Sequence, residues 1–359
     1  MKADSKLSMS DIKSVVRSKL STVVVRSGLS ALIRKAVPKK GAVIFYGHRV
    51  GTDDLGFLPG VRPEWFEDQI RHIARHFDVV PLTTIVEHFE RGEPIPDGMA
   101  AITMDDGFRD NLELAFPIFE RVGVPATIFV VTGSMSSGEL PWPQRLGWVF
   151  QHATASHFED GDLRFPLGTR AERHHAYVQV RRGFFALPRA ERDTRIDAYA
   201  AQLGAQPPTD RMLNWDDLRA MQVAGVVAGA HTVSHPWLGF VPPGEARAEM
   251  AQCRDDLREH LGLENTPFCF PAGSCTPDLV AEVSRLGFRS SFLPKRPYRV
   301  NTLANATPYT LARVGLPDRP VVELAAQLDG PFYAAQKLKR RLRPDNDFGN
   351  DRKWRGEDL

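Results

Sequence analysis

Cysteine is scarce in this chain, whose 359 residues include three, Cys253, Cys269 and Cys275. An odd number leaves at least one unpaired, and no two stand in a CxxC spacing, so neither a disulfide framework nor a ribbon-type structural zinc site is encoded. Long apolar runs are missing too. The stretch STVVV near the N-terminus is cut by Arg26, which leaves no secretory h-region and no membrane span. These absences together give the expectation of a reducing, cytoplasmic setting. No internal repeat or low-complexity tract occurs, and histidine is absent after His260.

What is present points to one large α/β domain. The apolar fraction of 42% is ordinary and sufficient for a sizeable core. From Val43 to Val314, short apolar runs alternate with helical periodicity, as in Gly123 followed by VPATIFVV: helix, glycine stop, buried strand. The helix RPEWFEDQIRHIARHF carries Trp65, Phe66, Ile70, Ile73 and Phe77 near helical spacing, the pattern of a core-facing stripe.

Two clusters carry chemistry. The run TMDDGFRDN places Asp105 and Asp106 after the apolar strand AAIT and before the helical LELAFPIFERVG. In GAHTVSHPWLG, His231 and His235 follow the apolar run VVAGA. Both clusters therefore stand at strand C-termini, where α/β barrels keep their functional groups. Histidines four apart fall on one face of a helical turn and can converge on one ion. Two imidazoles and a carboxylate suit a divalent metal, and a second carboxylate remains as a base. The same ligand types occur in non-haem iron oxygenases, but a spare aspartate beside the ligand fits hydrolysis better.

TMDDGF and HTVSH, taken with LNWDDLRAMQVAGVVAGAHTVSHPWL, EMAQCRDDLREHLG, FCFPAG and VSRLGFRSSF in that order, resemble the polysaccharide deacetylases, the NodB-homology family. The resemblance spans roughly Gly41 to Asp318. It implies a distorted (β/α) barrel of seven or eight strands, a catalytic base at Asp105, and a metal, Zn²⁺ by its donor set, held by Asp106, His231 and His235. It also implies that the tetrahedral oxyanion is met by a backbone N–H at Ala272, where many members carry a tyrosine.

The chain departs from the family pattern in two places. The arginine that orients the catalytic aspartate in many members is replaced, by alignment on Pro271 and Gly273, by Cys269. Arg313, in the strand-like TLARVG, is the expected substitute, with a purely structural ion pair as the competing reading. The histidine that protonates the leaving amine has no counterpart after His260. His48, at the end of VIFYGHRV, is the candidate acid, against a simple hydrogen bond to a neighbouring loop.

Four segments follow. A basic arm covers 1–40, the barrel 41–133 and 213–330, a helical insertion on the catalytic face 134–212, and a charged tail 331–359. The insertion holds Trp142, Trp148, Phe150 and Phe158, expected to form a small core of their own under a lid or sugar-binding surface. Met1 to Lys40 holds ten Lys or Arg against two Asp, a net of +8, so the remainder carries −6. Val16, Leu20, Val23, Val24 and Leu32 give the arm an apolar side, which suits either an anionic membrane surface bearing a lipid-linked glycan or packing against the barrel. Nucleic acid is not expected, because no aromatic residues interleave with these charges.

The sequence thus predicts a metal-dependent hydrolase that removes N-acetyl groups from a sugar of a glycan or glycan precursor. Two rivals stand beside it: an O-acetyl esterase or small-amide hydrolase on the same barrel, and a non-catalytic glycan-binding member.

Overall fold

The computed structural model describes residues 27–28, 32–33, 40–293 and 300–329. The expectations for the arm over 1–40 and the tail over 331–359 fall on residues outside these, apart from Ser27, Gly28, Leu32, Ile33 and Lys40.

Short apolar runs form five strands: β1 (Val43–Gly47), β2 (Met99–Met104), β3 (Thr127–Val130), β4 (Val227–Ala230) and β5 (Arg313–Gly315). They pair in the order β5-β1-β2-β3-β4, every pair parallel. All six residues of β2 are buried, as a parallel strand covered on both faces requires. The short strand Asp78–Val79 joins β2 on the edge away from β1, because Ala100 pairs with both Val43 and Val79.

Beyond β4 the ring continues through single parallel bridges, Ala230 with Phe268, Pro267 with Ser290, and Phe292 with Leu311. Backbone bonds hold them: Cys269 N to Ala230 O at 2.9 Å, Phe268 N to Ser290 O at 2.8 Å, Leu293 N to Leu311 O at 2.9 Å. The Leu311 segment runs into β5, which pairs with β1. Parallel pairing therefore passes all the way round, regular on one side and reduced to single bridges on the other, which is the distorted barrel expected.

Helices cover the outside. α1 (Pro63–His76) begins with proline at its first position and buries Phe66, Ile70 and Ile73, one stripe at the spacing that the sequence carries. α2 (Leu82–Arg91) follows. The segment after β2 opens with a π-helical turn, Asn111–Ala115, and continues as α3 (Phe116–Val122), which stops at left-handed Gly123.

The insertion builds α4 (Trp142–Gln151), an antiparallel hairpin of His157–Asp160 with Leu163–Pro166, α5 (Arg170–Arg181) and α6 (Arg189–Leu203). Pro188 divides the arginine-rich stretch into two helices. Trp142, Phe150, Phe158, Phe184, Ile196 and Leu203 make a second core distinct from the barrel's. Truncating an interior ring such as Phe150 to alanine would cost about 3–5 kcal/mol. Trp148 instead lies partly buried against Leu55, Phe108, Leu140 and Met212. The chain returns through α7 (Trp215–Val223), started by a reciprocal Asn214–Asp217 capping box, to β4, then α8 (Pro243–Leu261) and α9 (Pro277–Arg285), and it ends beyond β5 with α10 (Val321–Asp329).

Candidate metal centre

Asp105 and Asp106 leave β2, and His231 leaves β4, so both motifs reach the C-terminal mouth of the barrel. Asp105 N donates to Gly47 O at 2.9 Å, which keeps this residue in line with the strands. Asp106 turns into the left-handed region at φ 74°. That turn sends consecutive carboxylates to different places.

The histidine pair converges by a different route from the one expected. Residues 231–235 form no helical turn; Thr232 at φ 69° and His235 at φ 58° fold the loop so that the two rings lie 5.1 Å apart. Such conformations cost about 1–3 kcal/mol per residue in non-glycine positions, so the loop must be held. Glu249 on α8 accepts bonds from Val233 N and Ser234 N, each at 2.9 Å. Trp142 Nε1 donates to His235 O at 2.9 Å, and buried Arg192 donates to Ser234 Oγ at 3.0 Å. The insertion thereby braces the motif.

Asp106 Oδ1 lies 3.2 Å from Nε2 of His231 and 3.2 Å from Nε2 of His235. All three residues are buried, and the oxygen has no hydrogen-bond partner. His231 Nδ1 sits 2.7 Å from Cys269 O, a contact that requires N–H at Nδ1 and, in the neutral ring, leaves the Nε2 lone pair facing the carboxylate. A carboxylate oxygen without a hydrogen-bond partner, facing the Nε2 atoms of both rings, fits a cation between them. These residues therefore suit a divalent metal.

Arg313, from β5, meets Asp105 with two parallel bonds: Nη1 donates to Oδ1 and Nη2 to Oδ2, both at 2.7 Å. Its guanidinium lies 4.5 Å from the Tyr46 ring and 4.8 Å from that of Phe292, and it also donates to Thr103 Oγ1 at 3.2 Å and Cys269 Sγ at 3.0 Å. Burial pushes the Asp105 carboxyl up, but the Arg313 charge and hydrogen bonds, with help from His231 and His48, hold it below its ordinary value. For Asp106, burial is likewise overcome, by His235 and His231 with a contribution from His48, and its carboxyl is held well below the carboxylate range.

His48 follows β1 and is partly exposed at the mouth, its carbonyl held by Asn111 Nδ2 at 2.9 Å and its ring 5.8 Å from Tyr46. Ala272 occupies the short turn Pro271–Gly273 in a left-handed conformation, φ 52°, three residues beyond the carbonyl that holds His231. Tyr46, Trp142, Arg192 and Glu249 also touch the site, and none carries a local motif that singles it out.

Barrel and mouth together define an α/β barrel of the deacetylase type. The chain belongs to the polysaccharide deacetylase family, whose sequence profile matches residues 92–291, more than half its length. Among solved structures, the Streptococcus pyogenes deacetylase PplD in complex with acetate matches with a TM-score of 0.53 at 16% identity, over 80% of this chain and 97% of that one. IcaB from Ammonifex degensii matches with a TM-score of 0.53 at 17% identity, over the same shares. At such identities the likeness shows the fold. No curated protein sequence matches.

Proposed function

We propose that the protein is a metal-dependent hydrolase that removes N-acetyl groups from sugar residues of a glycan or glycan precursor. One observation carries this reading: beside three converging metal-type ligands stands a second buried carboxylate, bound by an arginine and left free of the ligand set. A divalent ion held by Asp106, His231 and His235, Zn²⁺ by the donor set, would supply Lewis acidity toward the acetyl carbonyl and an attacking water. Asp105, kept ionised and oriented by Arg313, would serve as the base toward an attacking water. The Ala272 N–H donates to the developing oxyanion, and His48 returns a proton to the departing amine.

Support for the substrate comes from the family and from PplD, a deacetylase whose structure holds acetate. Among the described residues no helix is long and apolar enough to cross a membrane. A cytoplasmic enzyme brought by its basic arm to a lipid-linked glycan at the inner membrane face is part of this proposal.

An O-acetyl esterase is the second reading. It is favoured by the absence of histidine after His260, since an alkoxide leaving group needs less protonation than an amine. The deciding assay measures acetate and new free amine from a panel of N- and O-acetylated glycans. Acetate matched by free amine supports the proposal. Acetate without amine selects the esterase, and no acetate from any substrate selects a non-catalytic binder.

A further inference from the structure

Arg192, on α6 of the insertion, is 1% exposed. Its guanidinium bonds through Nη2 alone, to the Ser234 carbonyl at 3.3 Å and to Ser234 Oγ at 3.0 Å. Nε and Nη1 donate to no group among the described residues. The face of the Trp142 ring lies 5.5 Å from the guanidinium carbon. A buried charge with most of its donors unused opposes folding, and an apolar side chain of similar volume in its place is often neutral or stabilising. Arg192 is therefore poorly suited to stabilise the second core beside it. Groups that break the rules of a stable interior concentrate at functional sites.

Ser234 shows where this charge acts. Its hydroxyl accepts from Arg192 and donates to Glu249 Oε1 at 2.5 Å, while Glu249 Oε2 accepts from Val233 N and Ser234 N. One hydroxyl thus joins a cation of the insertion to an anion of α8 across the loop that separates His231 from His235. The preceding residues of that loop are held from the barrel side: Thr132 N donates to Thr232 O at 3.1 Å, and Gly133 N to Val233 O at 3.0 Å. Ser234 receives its carbonyl bond from Arg192 instead, and His235 follows directly, in the left-handed region at φ 58°. Two residues further on, Trp237 stacks on Phe185 of the insertion with ring centres 3.9 Å apart. The second half of the loop therefore takes its shape from the insertion.

We propose that Arg192 is a positioning residue for the metal site, acting through the Ser234 hydroxyl to hold the His235 loop in its ligating shape. This rests on the metal-dependent reading of Asp106, His231 and His235. The role differs from a structural one in sign: losing the arginine weakens the grip on the ion without weakening the fold.

Arg192→Met keeps an unbranched side chain and removes the charge. Its metal-free form should melt at or above the wild-type temperature. Its Zn²⁺ dissociation constant, from competition with a chromogenic chelator, should rise about 10- to 100-fold, the range for groups that orient ligands. Ser234→Ala removes the link itself and should weaken Zn²⁺ binding by a similar factor. Because both changes break one path, the double variant should bind Zn²⁺ about as weakly as the weaker single one. Wild-type Zn²⁺ affinity in either folded variant would overturn the proposal. So would a metal-free Arg192→Met protein that melts below the wild type, which would make the arginine a structural part of the second core. Either result leaves the metal reading standing, whereas failure of the wild-type protein to take up Zn²⁺ would remove both.

Discussion

The guanidinium of Arg313 and the carboxylate of Asp105 meet face to face, two bonds of 2.7 Å in a buried setting. Such a pairing fixes both the direction of the carboxylate and its charge. Burial alone would push the carboxyl up, so its ionised state depends on this one partner more than on any other.

Arg313→Ala should therefore move the acid limb of the rate profile. A base works while ionised; with Arg313 its folded value is depressed and activity persists to low pH, and without it the effect of burial dominates and the limb shifts to higher pH. A pH–kcat/KM profile measures this. An unmoved limb in a folded Arg313→Ala protein would mean that Asp105 is not the titrating base.

Removing a ligand should separate from removing the base. Asp105→Asn should keep its metal and lose roughly 10²- to 10⁴-fold in rate, the range for loss of a general base. Asp106→Asn and His235→Ala should lose metal and activity together, with the barrel still folded. Elemental analysis alongside circular dichroism reads all three variants, and full metal in His235→Ala would remove that residue from the ligand set.

Much of this site was legible locally. Asp105, Asp106, His231 and His235 sit in short motifs after apolar runs, and Arg313 shows as a charge inside a strand-like segment. Local spacing misled on one point, because 231–235 is a loop with two left-handed residues where a helical turn was expected. No glycine marks either position, and tertiary bonds from Glu249 and the insertion hold the conformation instead. Cys269 reaches Arg313 from the segment after the Phe268 bridge and Tyr46 from β1, and Trp142 reaches His235 from an inserted helix. Contacts across such sequence distances leave no periodic trace. The barrel was readable because each buried strand is a compact apolar run, whereas its irregular side is held by single bridges too short to register as strands.

The insertion's brace gives a further expectation. Trp142→Phe keeps most of the packing but leaves the buried His235 carbonyl without its donor, at a cost of about 1–3 kcal/mol. Chemical denaturation should show that loss, and metal affinity should fall with it because His235 is no longer fixed. Unchanged affinity would confine the insertion's role to the second core.

His48 as the acid predicts a substrate split. His48→Gln should slow hydrolysis of the sugar amide, whose departing amine needs a proton. An activated acetyl ester, whose leaving group needs little protonation, should be cleaved nearly as before. Wild-type amide hydrolysis across the pH range would leave His48 a structural role.

The central claim is that one divalent ion, held by Asp106, His231 and His235, is required for acetate release. The direct measurement is a stoichiometric titration. Chelated protein, shown by elemental analysis to be stripped, is supplied with Zn²⁺ in fractions of an equivalent while acetate release from an N-acetylated glycan is followed. The account predicts negligible activity at zero equivalents, a linear rise, and a break at one ion per chain that is absent in His235→Ala. Full activity in the stripped wild-type protein would contradict it.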